Sequence, residues 1–171
     1  MTHNLLVEAL SGLDIRVAGI DPGETTGICL FEGSILKEWG QVSSTSLPQA
    51  ASTVCNLLTR WSPAVVVMED YRVYGWKTDS HSWASLYTPR LIGAVEYICY
   101  VQNLKLAKQM AQQAKGFSTD DKLKAWGLWK EGQKHTRDAI RHAVYYLLFQ
   151  VAQVHKSSSS SSPSLSRTGN A

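Results

Sequence analysis

Apolar and polar positions along this chain follow two different periods, and each change of period marks an element. Ile15–Asp21 (IRVAGID), Thr26–Phe31 (TGICLF) and Ile35–Val42 (ILKEWGQV) are short β-rich runs. Pro22-Gly23 and Glu32-Gly33-Ser34 supply the turns between them, so the three runs predict an antiparallel meander. From Pro48 to Trp61 the apolar residues fall at 50, 51, 54, 57, 58 and 61, the spacing of an amphipathic helix that Ser62-Pro63 stops. Ala64–Met68 (AVVVM) is a continuous β-branched run, the pattern of a strand covered on both faces. Helical spacing returns over Ser85–Asn103, through Leu86, Ile92, Val95, Ile98, Cys99 and Val101. Lys105–Lys108 predicts a fifth strand. Ser118–Glu131 predicts a short helix capped by Ser118, three residues before Asp121, and a closing helix over His135–His155 follows Gly132.

A meander followed by strand–helix–strand crossovers predicts an α/β fold with a mixed five-stranded sheet and helices on both faces. With 171 residues, 44% of them hydrophobic and 18% charged, the chain has the balance of one globular domain. We expect a lead-in over residues 1–14, the folded domain over 15–155, and a disordered Ser-rich tail over 156–171. No run approaches the roughly 18 apolar residues of a membrane helix. The N-terminus lacks a basic stretch ahead of an apolar one, so neither a membrane nor a secretory signal is expected. Cys29, Cys55 and Cys99 lie far apart in apolar segments, as buried reduced thiols would.

The net charge of +3 hides an asymmetry. Residues 1–70 hold three basic and eight acidic side chains, whereas residues 71–171 hold fourteen basic and six acidic ones. A basic half with Trp and Tyr interleaved points to a polyanionic partner.

Ligand sites in α/β sheets form at the carboxyl ends of strands, and two acids stand there. Asp21 closes the first strand and Glu69 the fourth. If those strands are neighbours, their ends lie about 4.8 Å apart. Carboxylates that close repel unless a cation or proton separates them, and Mg²⁺ suits hard oxygen ligands. Asp138, on the closing helix, would complete the cluster. Such clusters can hold two ions about 3.5–4 Å apart around a phosphodiester. Singly, each acid has a plainer explanation: a turn residue, a solvated strand end, or an acid favoured by a helix start. The three together favour a site.

Ile20-Asp21-Pro22-Gly23-Glu24-Thr25-Thr26-Gly27 resembles the first motif of the RuvC-like Holliday junction resolvases, within the ribonuclease H-like nuclease superfamily. Val65–Glu69 is similar to the strand bearing that family's second acid. His135-Thr136-Arg137-Asp138-Ala139 is similar to its closing-helix motif, and the trio occurs in the family's order over about residues 15–150. The run from Arg137 to Ala143 looks closest to phage-encoded members.

The resemblance implies a ribonuclease H-like fold and an endonuclease that cuts four-way DNA junctions as a homodimer. It implies Mg²⁺ as cofactor, replaceable by Mn²⁺ and two per site, with no small-molecule cofactor. Asp21, Glu69 and Asp138 would be metal ligands and His135 a further metal or acid–base group. Lys122 matches a family lysine near the scissile phosphate. His142 lies one turn beyond Asp138 and would support it or simply pack. The family's aromatic wedge falls here on Arg72, with Tyr71, Tyr74 and Trp76 beside it to stack on bases. Arg72, Tyr74, Trp76, Lys77, Lys122 and Lys124 are the candidate nucleic-acid contacts, and Arg90, Lys115, Lys130, Lys134, Arg137 and Arg141 are further basic residues nearby. The implied compartment is the cytoplasm of a bacterium or of a phage-infected host.

Three other functions stay open at this point. One is a related nuclease for flaps, other branched DNA or RNA–DNA hybrids. Another is a nucleotide-binding module of the actin and sugar-kinase type, for which the chain is short and lacks a second phosphate turn. The last is a junction-binding protein without catalysis.

Overall fold

Alternate residues of the two central strands face opposite layers of helix, and that alternation positions the site. A computed structural model of the chain describes Leu6, residues 8–70 and residues 86–151. Its strands are β1 (Arg16–Asp21), β2 (Thr25–Glu32), β3 (Ile35–Ser43), β4 (Val65–Glu69) and β5 (Lys105–Gln109). They form one sheet in the order β3-β2-β1-β4-β5, with β1–β2 and β2–β3 antiparallel and β1–β4 and β4–β5 parallel. The helices are α1 (Leu47–Trp61), α2 (Tyr87–Val101), α3 (Ala111–Phe117), α4 (Asp120–Ala125) and α5 (Lys134–Tyr146). A π-helical turn, Leu147–Val151, continues α5. This is the mixed five-stranded α/β architecture that the hydrophobic pattern predicts.

Val17, Val65 and Val67 face α5 and pack with Ala139, Ile140, Ala143 and Leu147. Ala18, Ile20, Val66 and Met68 face the other way, against Val54 and Leu58 of α1 and Leu91 and Val95 of α2. Because the strand period is two, Asp21 and Glu69 belong to the α5 side of the sheet. Upstream of β1, Leu6 and Leu10 are buried in the α5-side core, so part of the stretch expected as a lead-in contributes to packing.

α5 lies almost flush on the sheet because two glycines leave room for it. A β-carbon on Gly19 would come within 2.4 Å of the Ala139 carbonyl oxygen, and one on Gly27 within 1.9 Å of the His135 carbonyl oxygen. Gly27 pairs with Asp21 across the β1–β2 ladder, so one register position seats both the acid and the start of α5. The Thr136 hydroxyl donates to the Gly40 carbonyl at 2.6 Å, and the His135 amide donates to the Gln41 side chain at 3.1 Å, tying α5 to β3.

Two expectations about helices change. The helix expected over Ser118–Glu131 ends at Ala125, because Gly127 takes a positive φ of 71°. Leu128 N then donates to the Leu123 carbonyl and Gly127 N to that of Lys124, and the two leucines are buried in the same core. The cap is Thr119, whose hydroxyl accepts from Lys122 N, while Ser118 Oγ is buried with no partner among the described residues. In addition, α3 forms where no helix was expected; its sequence AQQAKGF buries only Ala114 and so lacks an apolar stripe. Cys29 and Cys99 are buried free thiols, whereas Cys55 is half-buried beside Gln102. Among the described residues no helix is long and apolar enough to cross a membrane.

Candidate active site

Asp21 ends β1 and Glu69 ends β4. The parallel register pairs Ile20 with Met68 one step earlier, so the two acids stand side by side at the carboxyl edge. Asp138 reaches the same place from the first turns of α5. With His135, Lys115 and Lys134 they line an open cleft of about 560 Å³, whose far wall is Pro22–Thr25, Tyr87 and Thr88. Thr26 Oγ1 donates to the Gly23 carbonyl at 2.7 Å and closes the turn that follows Asp21.

Each carboxylate has its own partner. Asp21 Oδ2 is 2.8 Å from His135 Nδ1. Burial raises the Asp21 carboxyl above its ordinary value, against the His135 hydrogen bond, and the neighbouring Asp138 charge raises it further. Glu69 is held below the ordinary range, first by His142, against the cost of burial, and next by Lys115. Asp138 offers Oδ1 to Arg141 Nη1, leaving Oδ2 3.3 Å from Lys115 Nζ. Lys115 Nζ is also 3.3 Å from Glu69 Oε2. Burial pulls the Lys115 ammonium down, but Asp138, Glu69 and Asp21 outweigh it and hold it above its ordinary value. One ammonium therefore bridges two of the three acids.

Arg141 anchors Asp138 from behind. Its guanidinium bonds Asp138 and Asp120, and Nε donates to the Ser118 carbonyl at 2.8 Å. Arg141 and Asp138 are both buried, and removing one partner of such a pair strands the other. Arg141→Met is expected to cost about 3 kcal/mol of unfolding free energy in a denaturant titration, against well under 1 kcal/mol for a surface arginine.

The donor set suits a hard divalent ion: three carboxylates from three elements, one imidazole, and a cation already drawn between two of the acids. Among the described residues no three such groups yet converge on one point at ligand distance, and Lys115 fills the space between Glu69 and Asp138. Binding an ion there requires the ammonium to withdraw, which its long flexible stem permits.

The structure thus brings together Asp21, Glu69, His135 and Asp138. Lys122 lies apart from the cleft lining: its ammonium donates to the Phe117 carbonyl at 2.7 Å and sits 4.2 Å from that ring's centre. Lys124 lies 4.8 Å from the centre of Trp129. Tyr71, Arg72, Tyr74, Trp76 and Lys77 lie outside the described residues. His142 faces Glu69, not Asp138. The lysines that line the cleft are Lys134, at the start of α5, and Lys115, placed by the helix that the apolar pattern did not reveal.

Neither a protein-family model nor a curated protein sequence matches the chain. Solved structures do. Thermus thermophilus RuvC in complex with a Holliday junction substrate superposes with a TM-score of 0.65 at 18% identity, covering 79% of this chain and 94% of that one. The yeast mitochondrial Holliday junction resolvase Ydc2 gives 0.57 at 16%, covering 89% and 87%. The fowlpox virus Holliday junction resolvase gives 0.51 at 14%, covering 78% and 98%. This chain therefore has the ribonuclease H-like fold of the RuvC-like Holliday junction resolvases.

Proposed function

We propose that this chain is a Mg²⁺-dependent, structure-selective endonuclease that resolves four-way DNA junctions by paired phosphodiester hydrolysis. The observation that carries the proposal is the convergence of Asp21, Glu69 and Asp138, with His135, on one open cleft of this fold. The three acids are partnered by His135, His142, Arg141 and Lys115 but are not sealed over. The cleft is open, and its walls add two lysines to the acids.

Asp21, Glu69 and Asp138, with His135, would hold two Mg²⁺ ions, and Mn²⁺ would substitute. When bound, such ions make a water more acidic and neutralise charge on the phosphodiester. The protein's own groups then divide the remaining work. His135 is oriented by Asp21 and lines the same cleft, where an imidazole can take or give a proton. Lys115, once displaced from the acids, is in reach of a phosphate oxygen of the bound strand. Lys134 adds positive charge at the rim of the cleft. Lys122, Lys124 and the run Arg72, Tyr74, Trp76 and Lys77 are the candidate contacts to DNA beyond the cut site, giving salt-sensitive binding.

Two symmetric cuts call for two sites related by a two-fold axis, and α2 offers the surface for a homodimer. Its inner face, Leu91, Ile92, Val95 and Cys99, is buried in the core. Its outer face carries Gly93, Tyr97, Tyr100 and Val101; Tyr97 is 68% exposed and Tyr100 83%. A β-carbon on Gly93 would meet nothing, so a second helix can approach closely there. Tyr97→Glu is expected to shift the protein from dimer to monomer by sedimentation and to lower paired cutting at least about tenfold. Unchanged mass and paired cutting would remove this face from the interface.

Competition tests the substrate class. At moderate salt, unlabelled four-way junction should suppress cleavage of labelled junction at lower concentration than linear duplex, flap or RNA–DNA hybrid. A hybrid or flap that competes best would keep the site and reassign the enzyme to another ribonuclease H-like nuclease activity.

A further inference from the structure

Behind Glu69 lies a buried polar pair that the proposed chemistry does not use. His142, on α5, is 0% exposed, and Gln109, the last residue of β5, is 3% exposed. The β4–β5 register pairs Gln109 with Glu69 directly, and strand parity sends both side chains to the α5 side of the sheet. His142 Nδ1 stands 3.0 Å from Gln109 Oε1, and Nε2 stands 3.6 Å from Glu69 Oε2. Two buried atoms of this trio, His142 Nε2 and Gln109 Nε2, have no hydrogen-bond partner among the described residues.

With the amide oxygen as acceptor, a neutral ring donates from Nδ1 and turns a bare Nε2 lone pair toward a carboxylate. That arrangement is repulsive and leaves the amide nitrogen unsatisfied. Turning the amide over about its last bond removes the repulsion and gives the amide nitrogen a partner, leaving the amide oxygen as the less costly unpaired group. The Gln109 N–H then donates to Nδ1, the ring proton sits on Nε2, and Nε2–H points at Glu69.

We propose that Gln109 and His142 form an outer relay that fixes the orientation of Glu69: Gln109 sets the imidazole tautomer, and His142 Nε2–H holds the carboxylate for the metal. Both are positioning residues, acting through Glu69. This rests on Glu69 being a metal ligand, as proposed above. It also gives the sequence run Asp138-Ala139-Ile140-Arg141-His142 a single logic. Asp138 enters the cleft, while Arg141 and His142, on the next turn, each steady a different carboxylate. Outer partners of this kind typically change metal affinity by about 10–100-fold when removed.

The test uses the full chain without DNA, with Mn²⁺ alone as the probe. Imidazole nitrogen NMR of the metal-free protein at neutral pH should show His142 protonated on Nε2 and bare on Nδ1. A proton on Nδ1, in a neutral or a charged ring, would overturn the relay. Calorimetric Mn²⁺ affinity should fall about 10–100-fold in His142→Leu and be largely restored in His142→Gln, whose amide nitrogen replaces Nε2. Gln109→Met, which leaves the ring in place, should lose affinity by a smaller factor and show mixed tautomers. Equal Mn²⁺ affinity in all three variants, with only lowered melting temperatures, would make the pair structural and overturn the proposal. If the parent chain itself binds no Mn²⁺ while His142 shows the Nε2 tautomer, the metal assignment of Glu69 fails and the contact between His142 and Glu69 stands as a hydrogen bond only.

Discussion

Replacing Asp21 by asparagine is expected to lower junction cleavage in Mg²⁺ by at least about 10³-fold while leaving the metal-free fold no less stable. The rate loss follows if several kcal/mol of transition-state charge stabilisation depend on this ligand, since each 1.36 kcal/mol is about tenfold. The stability effect follows from the acid's surroundings. Burial raises the Asp21 carboxyl more than the His135 hydrogen bond lowers it, and Asp138 pushes the same way. Between its unfolded and folded titration points the folded chain therefore binds more protons than the unfolded chain. Stability contributed by this group falls as pH rises through that interval. Asparagine carries no such charge. The variant's advantage in EDTA should accordingly grow from acid to neutral pH, read as the difference in melting temperature. A variant that melts lower at neutral pH than at acid pH, relative to the parent, would show that the His135 contact outweighs burial.

Gly27→Ala is the second large effect, and it tests the packing that assembles the site. The added methyl would stand 1.9 Å from the His135 carbonyl oxygen and 2.7 Å from Thr136 N, both backbone atoms. No side-chain rotation relieves that contact; the start of α5 must lift from the sheet. Overpacked sites of this kind cost about 1–3 kcal/mol, and a clash with backbone belongs at the upper end. Lifting α5 carries His135 and Asp138 away from Asp21 and Glu69, and a displacement of about 1 Å can cost 10²-fold in rate. We expect a stability loss of about 3 kcal/mol by denaturant unfolding, with cleavage reduced more than 10²-fold even where the variant is fully folded. Near-parental cleavage would mean that the α5–β2 contact does not set the active geometry. Gly40→Ala, where a β-carbon meets nothing, is the matched control.

These two positions also show why much of the site was legible in the sequence. Asp21 and Glu69 each end a β-branched run, and a strand's period of two puts both on the same side of parallel neighbours. Asp138 and His135 share one helix face by their spacing of three. Gly27 belongs to the same motif as Asp21, and its purpose is visible only when the helix that crosses it is in place. Most of the strands and the three long helices were readable from their apolar period, whereas β5 (KLAKQ) shows only a short apolar pair between lysines. Elsewhere, where that period fails, sequence reasoning failed too. α3 buries a single alanine, so neither the helix nor its Lys115 stood out from the other basic residues. α4 ends early because a glycine at positive φ closes it, while apolar residues continue beyond at Trp126, Leu128 and Trp129. Gln109 carried a faint signal: it sits at the parity that faces α5, polar where a strand residue on that side would ordinarily be apolar.

The alternation that places Asp21 also bears on the remaining functional class. Asp21 is an acid that burial disfavours, and its place beside Glu69 and Asp138 at the open cleft favours the catalytic proposal over a binding protein without catalysis. Natural chains keep destabilised charges where chemistry requires them.

The most direct test maps the cuts on a four-way junction labelled on each strand in turn, with Mg²⁺ or EDTA, for the parent and for Asp21→Asn. Paired nicks at symmetric positions on two opposing strands, present only with Mg²⁺ and absent in the variant, are the expected result. Tight junction binding by both proteins with no cut in any strand would contradict the account.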